Sequence, residues 1–144
     1  MLLGIDPLLT GELLAGLDAM GHSDVVCLAD AHFPADRLAD RLVVLPGVET
    51  PRLLQAICSV LPLDDAPALD LMTSADGAVL DVQRDLMDAA GITSDGARFL
   101  GRPAFYDAAG SAYLIIRCGE TRTYGNALVR KGVVGSTAGR EDRR

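Results

Sequence analysis

Apolar residues fall into short blocks whose spacing switches repeatedly between the helical and the strand period. Leu9, Leu13, Leu14, Leu17 and Met20 share one side of a helix that Thr10 is placed to N-cap and Gly21 to end through a left-handed C-cap. The apolar run from Asp24 to Asp30 reads as a strand closed by Ala31, His32, Phe33 and Pro34, and Leu42 to Leu45 as a second, stopped by Pro46 and Gly47. Thr50 as N-cap, Pro51 at the first helical position, Leu53, Leu54, Ile57, Val60 and Leu61 at helical spacing and Pro62 as terminator predict the clearest helix of the chain. Further along, the pattern predicts a strand over Leu69 to Thr73, a helix from Val79 to Ala90 ending at Gly91, and a short strand from Ala97 to Leu100. Pro103 opens a short helix carrying Phe105 and Tyr106, Ala112 to Cys118 is the strongest strand, and Ala127 to Arg130 follows the turn Thr123 to Asn126.

Alternating strands and helices without an internal repeat imply one α/β domain: three layers, with a largely parallel central sheet covered on both faces. The domain is expected over residues 1–134, and the small and charged residues 135–144 as a disordered tail. Sheets of this kind collect ligands outside the carboxyl ends of their strands. Asp30 and the turn around Tyr124 therefore draw attention.

Composition narrows the partners. The chain has 144 residues, the length of one domain, and its 20 acidic against 13 basic residues leave a net charge of −7. Such a surface repels phosphate backbones, so no nucleic acid is expected, and Arg140, Arg143 and Arg144 are interleaved with Glu141 and Asp142 in the tail. No apolar run approaches the roughly 20 residues of a membrane-spanning helix, and the first residues lack the basic flank of a secretory signal. A soluble, cytoplasmic protein with no membrane partner is expected. Cys27, Cys58 and Cys118 are odd in number and set in apolar sequence, which reads as buried thiols in a reducing compartment. Their spacing offers no zinc site, and no metal is expected.

Candidate chemistry is sparse. His22 and His32 are the two histidines, the residue type whose unperturbed pKa lies nearest neutrality and which best serves proton transfer to oxygen. His22, just after a helix stop, is the better placed, either as an acid–base group or as a helix-end histidine bonded to a terminal carbonyl. Asp30 closes an apolar strand, where a carboxylate must be hydrogen-bonded or face a polar ligand, although an Asx turn would also explain it. Arg102, Tyr106, Tyr124 and Asn126 stand at loops or element ends and combine donors, acceptors and amphipathic rings, an inventory suited to a polyhydroxylated ligand.

Several motifs in order carry a resemblance. Met20 to Asp24 (Met-Gly-His-Ser-Asp), Ala29 to Pro34 (Ala-Asp-Ala-His-Phe-Pro), Phe105 with Tyr106, Gly119 with Glu120, Tyr124 to Asn126 (Tyr-Gly-Asn) and Lys131 with Gly132 resemble the signatures of the fucose mutarotase / D-ribose pyranase family, from about residue 5 to residue 133. The resemblance implies an enzyme that interconverts anomers or ring forms of a free monosaccharide without cofactor or metal. It implies His22 as proton donor, with Asp30, Tyr124 and Asn126 binding the sugar. Arg102 matches the position that is arginine in the fucose branch and histidine in the ribose branch, which points to L-fucose or a related sugar. Pro103 stands where a usual aromatic residue would be. Asp64 resembles a second acid seen in animal members, and Tyr106 is a further acid candidate.

The chemistry suits this inventory. Anomer exchange takes a proton off the anomeric hydroxyl and puts one onto the ring oxygen, which general acid–base catalysis accelerates by roughly 10²–10⁴-fold. The resemblance further implies a homo-oligomer, a decameric or smaller ring in which the Tyr-Gly-Asn segment of one subunit completes a neighbour's pocket. Two other readings stay open: a D-ribose pyranase, which Arg102 disfavours, and a non-catalytic sugar-binding oligomer.

Overall fold

The computed structural model describes residues 1–65 and 67–135, and of the tail expected over 135–144 all but Gly135 lies outside them. The elements in chain order are α1 (Gly11–Ala19), β1 (Val25–Ala29), α2 (Ala35–Leu38), β2 (Leu42–Leu45), α3 (Thr50–Cys58), β3 (Leu69–Met72), α4 (Asp81–Ala90), a 3₁₀ turn (Ser94–Gly96), β4 (Ala97–Leu100), α5 (Arg102–Gly110), β5 (Leu114–Cys118) and β6 (Ala127–Arg130). They form one α/β unit around a six-stranded sheet of order β2-β5-β1-β6-β3-β4.

Alternation along the strands divides the core in two. Val26 and Leu28 of β1 and Leu114 and Ile116 of β5 point to the face covered by Leu13 and Leu17 of α1, Leu53, Leu54 and Ile57 of α3 and Leu86 of α4. Cys27, Ala29, Ile115, Leu128 and Met72 point to the other face, under Ala35 of α2 and Phe105 and Ala109 of α5. The expected three layers follow.

The sheet is mostly parallel, as expected. Parallel pairing joins β1 to β5, β2 to β5 and β3 to β4, whereas β6 runs antiparallel to both β1 and β3. Because β5 and β6 flank β1, their connection must cross the carboxyl end of β1. That crossing brings the Tyr-Gly-Asn turn to Asp30. Elsewhere the buried carboxylate of Asp70 on β3 is held by a fork of two 2.9 Å bonds from Arg98 on β4 and by Arg130 on β6 at 3.1 Å, tying three strands together.

Helix ends depart from expectation in two places. Thr10 caps α1 as expected, its Oγ1 accepting the Leu13 N–H, but α1 closes at Met20 in extended conformation. Gly21 is not left-handed; Ser23, at φ 70°, takes that conformation instead. Thr50 is the first residue of α3 and not its cap, because its buried hydroxyl donates to Glu120 Oε1 at 3.3 Å. Gly91 does end α4 in the left-handed conformation, at φ 67°. The short α2 has no counterpart in the sequence pattern, since four residues are too few to display a period.

Candidate functional site

Asp30 follows the last residue of β1, and Asn126 precedes the first of β6, so the antiparallel pairing brings them together at one end of the two strands. Asp30 donates its backbone N–H to Asn126 Oδ1 at 2.7 Å, and Asn126 Nδ2 donates to Asp30 Oδ2 at 3.0 Å. The remaining oxygen, Oδ1, accepts the His32 N–H at 2.9 Å, in the Asx geometry that the sequence allowed. Both side chains are buried. Burial pushes the Asp30 carboxyl above the usual carboxylate range, against the opposing pull of the His32 N–H and the Asn126 amide. Beneath it, the same burial raises the Cys27 thiol. Cys27, Cys58 and Cys118 are all buried, and the Cys118 thiol is pushed up to about 11. Neither Cys27 nor Cys118 is activated as a nucleophile.

Aromatic groups complete this edge. Phe33, three residues past Asp30, meets Tyr106 of α5 edge to face, with ring centroids 5.2 Å apart, and Tyr106 and Tyr124 pack on one apolar cluster. Tyr124 sits at φ 61°, an uncommon conformation for a bulky residue and a mark of a turn held by its surroundings. Arg102, the first residue of α5, is exposed and follows β4 on the same edge, three strand spacings or roughly 14 Å from β1 at the backbone.

A buried scaffold that the sequence reading left without a role holds the crossing turn. Glu120 accepts the Thr50 hydroxyl, and Arg122 Nη2 donates to it at 2.8 Å while Arg122 Nη1 reaches Asp85 Oδ2 at 2.8 Å. The Glu120 carbonyl accepts the Ala31 N–H at 2.8 Å, which fastens the turn to the segment after Asp30. Gly125 leaves no room for a side chain: a Cβ there would stand 2.8 Å from Glu120 Cγ. The available signal was Glu120 itself, a carboxylate directly behind the most apolar strand.

His22 and Asp64 lie at the opposite edge of the sheet. His22 Nε2 stands 3.3 Å from Asp64 Oδ1, and the Ser23 hydroxyl donates to Asp64 Oδ2 at 3.3 Å. The Asp65 N–H and then His22 hold the Asp64 carboxyl below the usual range, so it is an ionised acceptor. His22 is 58% exposed in its side chain. The helix-end carbonyls that a histidine might have taken are instead bonded by Lys131. The five residues of β1, about 17 Å of strand, separate His22 from Asp30 within one chain. A cleft of about 280 Å³ beside α3 and α4, lined by Gln55, Ser59, Asp88 and Gly91 among others, contains none of these residues.

Among the sequence-derived candidates, the structure thus joins Asp30, Asn126, Tyr124 and Tyr106 at one edge, with Arg102 on the same side, and pairs His22 with Asp64 at the other. Solved structures with the same fold give this arrangement its context. The chain is 36% identical to Atu2016, described as a candidate sugar-binding protein, with a TM-score of 0.86 over 93% of this chain and 97% of that one. It is 33% identical to the fucose mutarotase from Streptococcus pneumoniae, solved in complex with L-fucose, with a TM-score of 0.83 over 92% and 99% of the two chains. Bacillus subtilis RbsD, complexed with D-ribose, shares the fold at 19% identity, with a TM-score of 0.73 over 88% and 95%. The model of the RbsD / FucU transport protein family matches residues 3–134, nearly the whole described chain, and the protein belongs to that family.

Proposed function

We propose that the protein is a cofactor-independent mutarotase that interconverts the anomers of a free monosaccharide, L-fucose or a close relative. The observation that carries the reading is the division of polar groups between the two sheet edges: a histidine–carboxylate pair open to solvent on one, and Asp30, Asn126, Tyr106 and Tyr124 on the other. One protomer's His22 would meet the Asp30 edge of its neighbour, so the working site is shared in a ring. Similarity to a mutarotase solved with L-fucose, together with arginine at position 102, supports the sugar class.

In this reading Asp30, Asn126, Tyr124 and Arg102 hold hydroxyls, and protonated His22 stands at the ring oxygen. The imidazolium gives its proton to that oxygen as the bond to the anomeric carbon breaks, while the anomeric hydroxyl loses its own proton to water or through the Tyr106 hydroxyl. The aldehyde so formed turns and recloses on its other face, which returns both protons. Asp64, an ionised acceptor, orients the imidazole, and so acts through His22 without donating a proton itself. Magnetisation exchange between the anomeric NMR signals of L-fucose tests this directly. Wild type should accelerate the exchange and His22→Ala should abolish it. Exchange confined to the ring forms of D-ribose would identify a pyranase, and binding without exchange a sugar-binding oligomer.

A further inference from the structure

Lys131 lies just beyond β6 and touches both segments that carry the His22–Asp64 pair. Its ammonium donates to the carbonyls of Leu17 at 2.7 Å, Asp18 at 3.4 Å and Met20 at 2.6 Å, occupying the carbonyl end of α1 where a helix leaves acceptors unpaired and favours a cation. Those contacts account for its three protons. Its backbone carbonyl accepts the Ser23 N–H and its own N–H donates to the Asp24 carbonyl, both at 2.9 Å. On the other side Leu63 bridges Lys131 in antiparallel fashion, Asp64 donates its N–H to the Arg130 carbonyl at 3.0 Å, and Gly132 donates to the Pro62 carbonyl at 2.7 Å. Gly132 permits this approach, since a Cβ would stand 2.6 Å from the Leu63 carbonyl carbon and 2.8 Å from the Asp64 nitrogen.

The His22 loop has little of its own to hold it. His22 is exposed, and Ser23 keeps a left-handed backbone that non-glycine residues adopt only when neighbours enforce it. Within the loop, the Gly21 N–H donates to Asp24 Oδ2 at 2.7 Å and the Asp24 N–H to the Gly21 carbonyl at 3.1 Å. Among the described residues, the other main-chain hydrogen bonds of residues 20–24 outside α1 go to Lys131.

We propose that Lys131 is a positioning residue for His22: its ammonium fixes the end of α1 and its backbone clamps the 20–24 loop to the Asp64 segment, so that imidazole and carboxylate meet in one geometry. The proposal rests on the reading of His22 as the proton-transfer group. It requires no contact between Lys131 and sugar.

Lys131→Met keeps the stem and removes the donors. In the full oligomer its kcat for fucose anomer exchange should fall by about 10–100-fold, the scale of loss when a reacting group is misplaced by an ångström, with KM unchanged. The imidazole Cε1–H resonance of His22, followed by NMR at fixed pH, should move from its wild-type position, and Lys131→Arg, which restores N–H donors, should recover most of the rate. Wild-type kcat with an unmoved His22 signal, whatever the melting temperature, would make Lys131 a helix cap alone and overturn the proposal. If wild type itself catalyses no exchange, the mutarotase reading fails, and the His22 signal still decides the clamp: moved in Lys131→Met supports it, unmoved overturns it. Should Lys131→Met not fold, Lys131→Gln, with donors on a shorter stem, is read by the same two measurements.

Discussion

Asp30 and Asn126, 96 residues apart, satisfy each other reciprocally: backbone N–H to amide oxygen at 2.7 Å and amide nitrogen to carboxylate at 3.0 Å. The pair seals the point where the β5–β6 connection passes over the end of β1, and in the proposed function the carboxylate's remaining lone pairs take a sugar hydroxyl. It therefore joins the stability of the turn to the chemistry of the edge.

Asn126→Ala removes a partner from a buried N–H and from a buried carboxylate oxygen. Unpaired polar groups of this kind cost about 1–3 kcal/mol each, so the unfolding free energy should drop by about 3 kcal/mol, with sugar affinity falling in parallel. Urea denaturation and titration with L-fucose check both. Unchanged denaturation would show that water replaces the amide at no cost.

The raised Asp30 carboxyl gives stability a definite pH dependence. A folded-state pKa above the unfolded value means that the native protein binds the extra proton, so this contribution is complete below the ordinary aspartate pKa and is lost as pH rises through the folded one. Measured relative to Asp30→Asn at each pH, wild type should be most favoured in acid, decline across that window and stay level above it. A difference that grows with pH would mean that the bonds from His32 and Asn126 outweigh the burial.

Arg102 makes no hydrogen bond or ion pair among the described residues and stands exposed at the first turn of α5. Arg102→Ala should leave the unfolding free energy within about 0.5 kcal/mol of wild type. Its KM for fucose should rise by about tenfold or more, the worth of one charge-assisted hydrogen bond. An unaltered KM would remove Arg102 from the site.

A site shared between neighbours predicts complementation. His22→Ala and Asp30→Asn are each expected to be inactive alone, but a ring assembled from both contains interfaces where an intact histidine edge faces an intact aspartate edge. Co-refolded mixtures should regain part of the exchange activity measured by NMR. Mixtures as inactive as their components would require both groups to act from one chain.

Most of the secondary structure was legible in the sequence. Leu42 to Leu45, Ala97 to Leu100 and Ala127 to Arg130 stand as strands with the expected bounds, and Gly91 ends its helix as expected, because local period and backbone preference act over a few residues. Thr50 shows where local reasoning stops. It has the chemistry of an N-cap, but a glutamate 70 residues away takes its hydroxyl. Gly21 shows the same limit, since Lys131, not a left-handed glycine, satisfies the end of α1.

What the sequence alone determined, then, was which residue types the molecule has for chemistry and which short segments are helix or strand: two histidines, an aspartate behind an apolar strand, and a Tyr-Gly-Asn turn. Only the tertiary structure decided their grouping. The reversed direction of β6 delivers Asn126 to Asp30, and the length of β1 parts both from His22, because strand order and direction are set by the burial of two whole faces and not by any one segment. The same long-range packing gave Lys131 its place between the two halves of the His22–Asp64 pair, a role no spacing along the chain records.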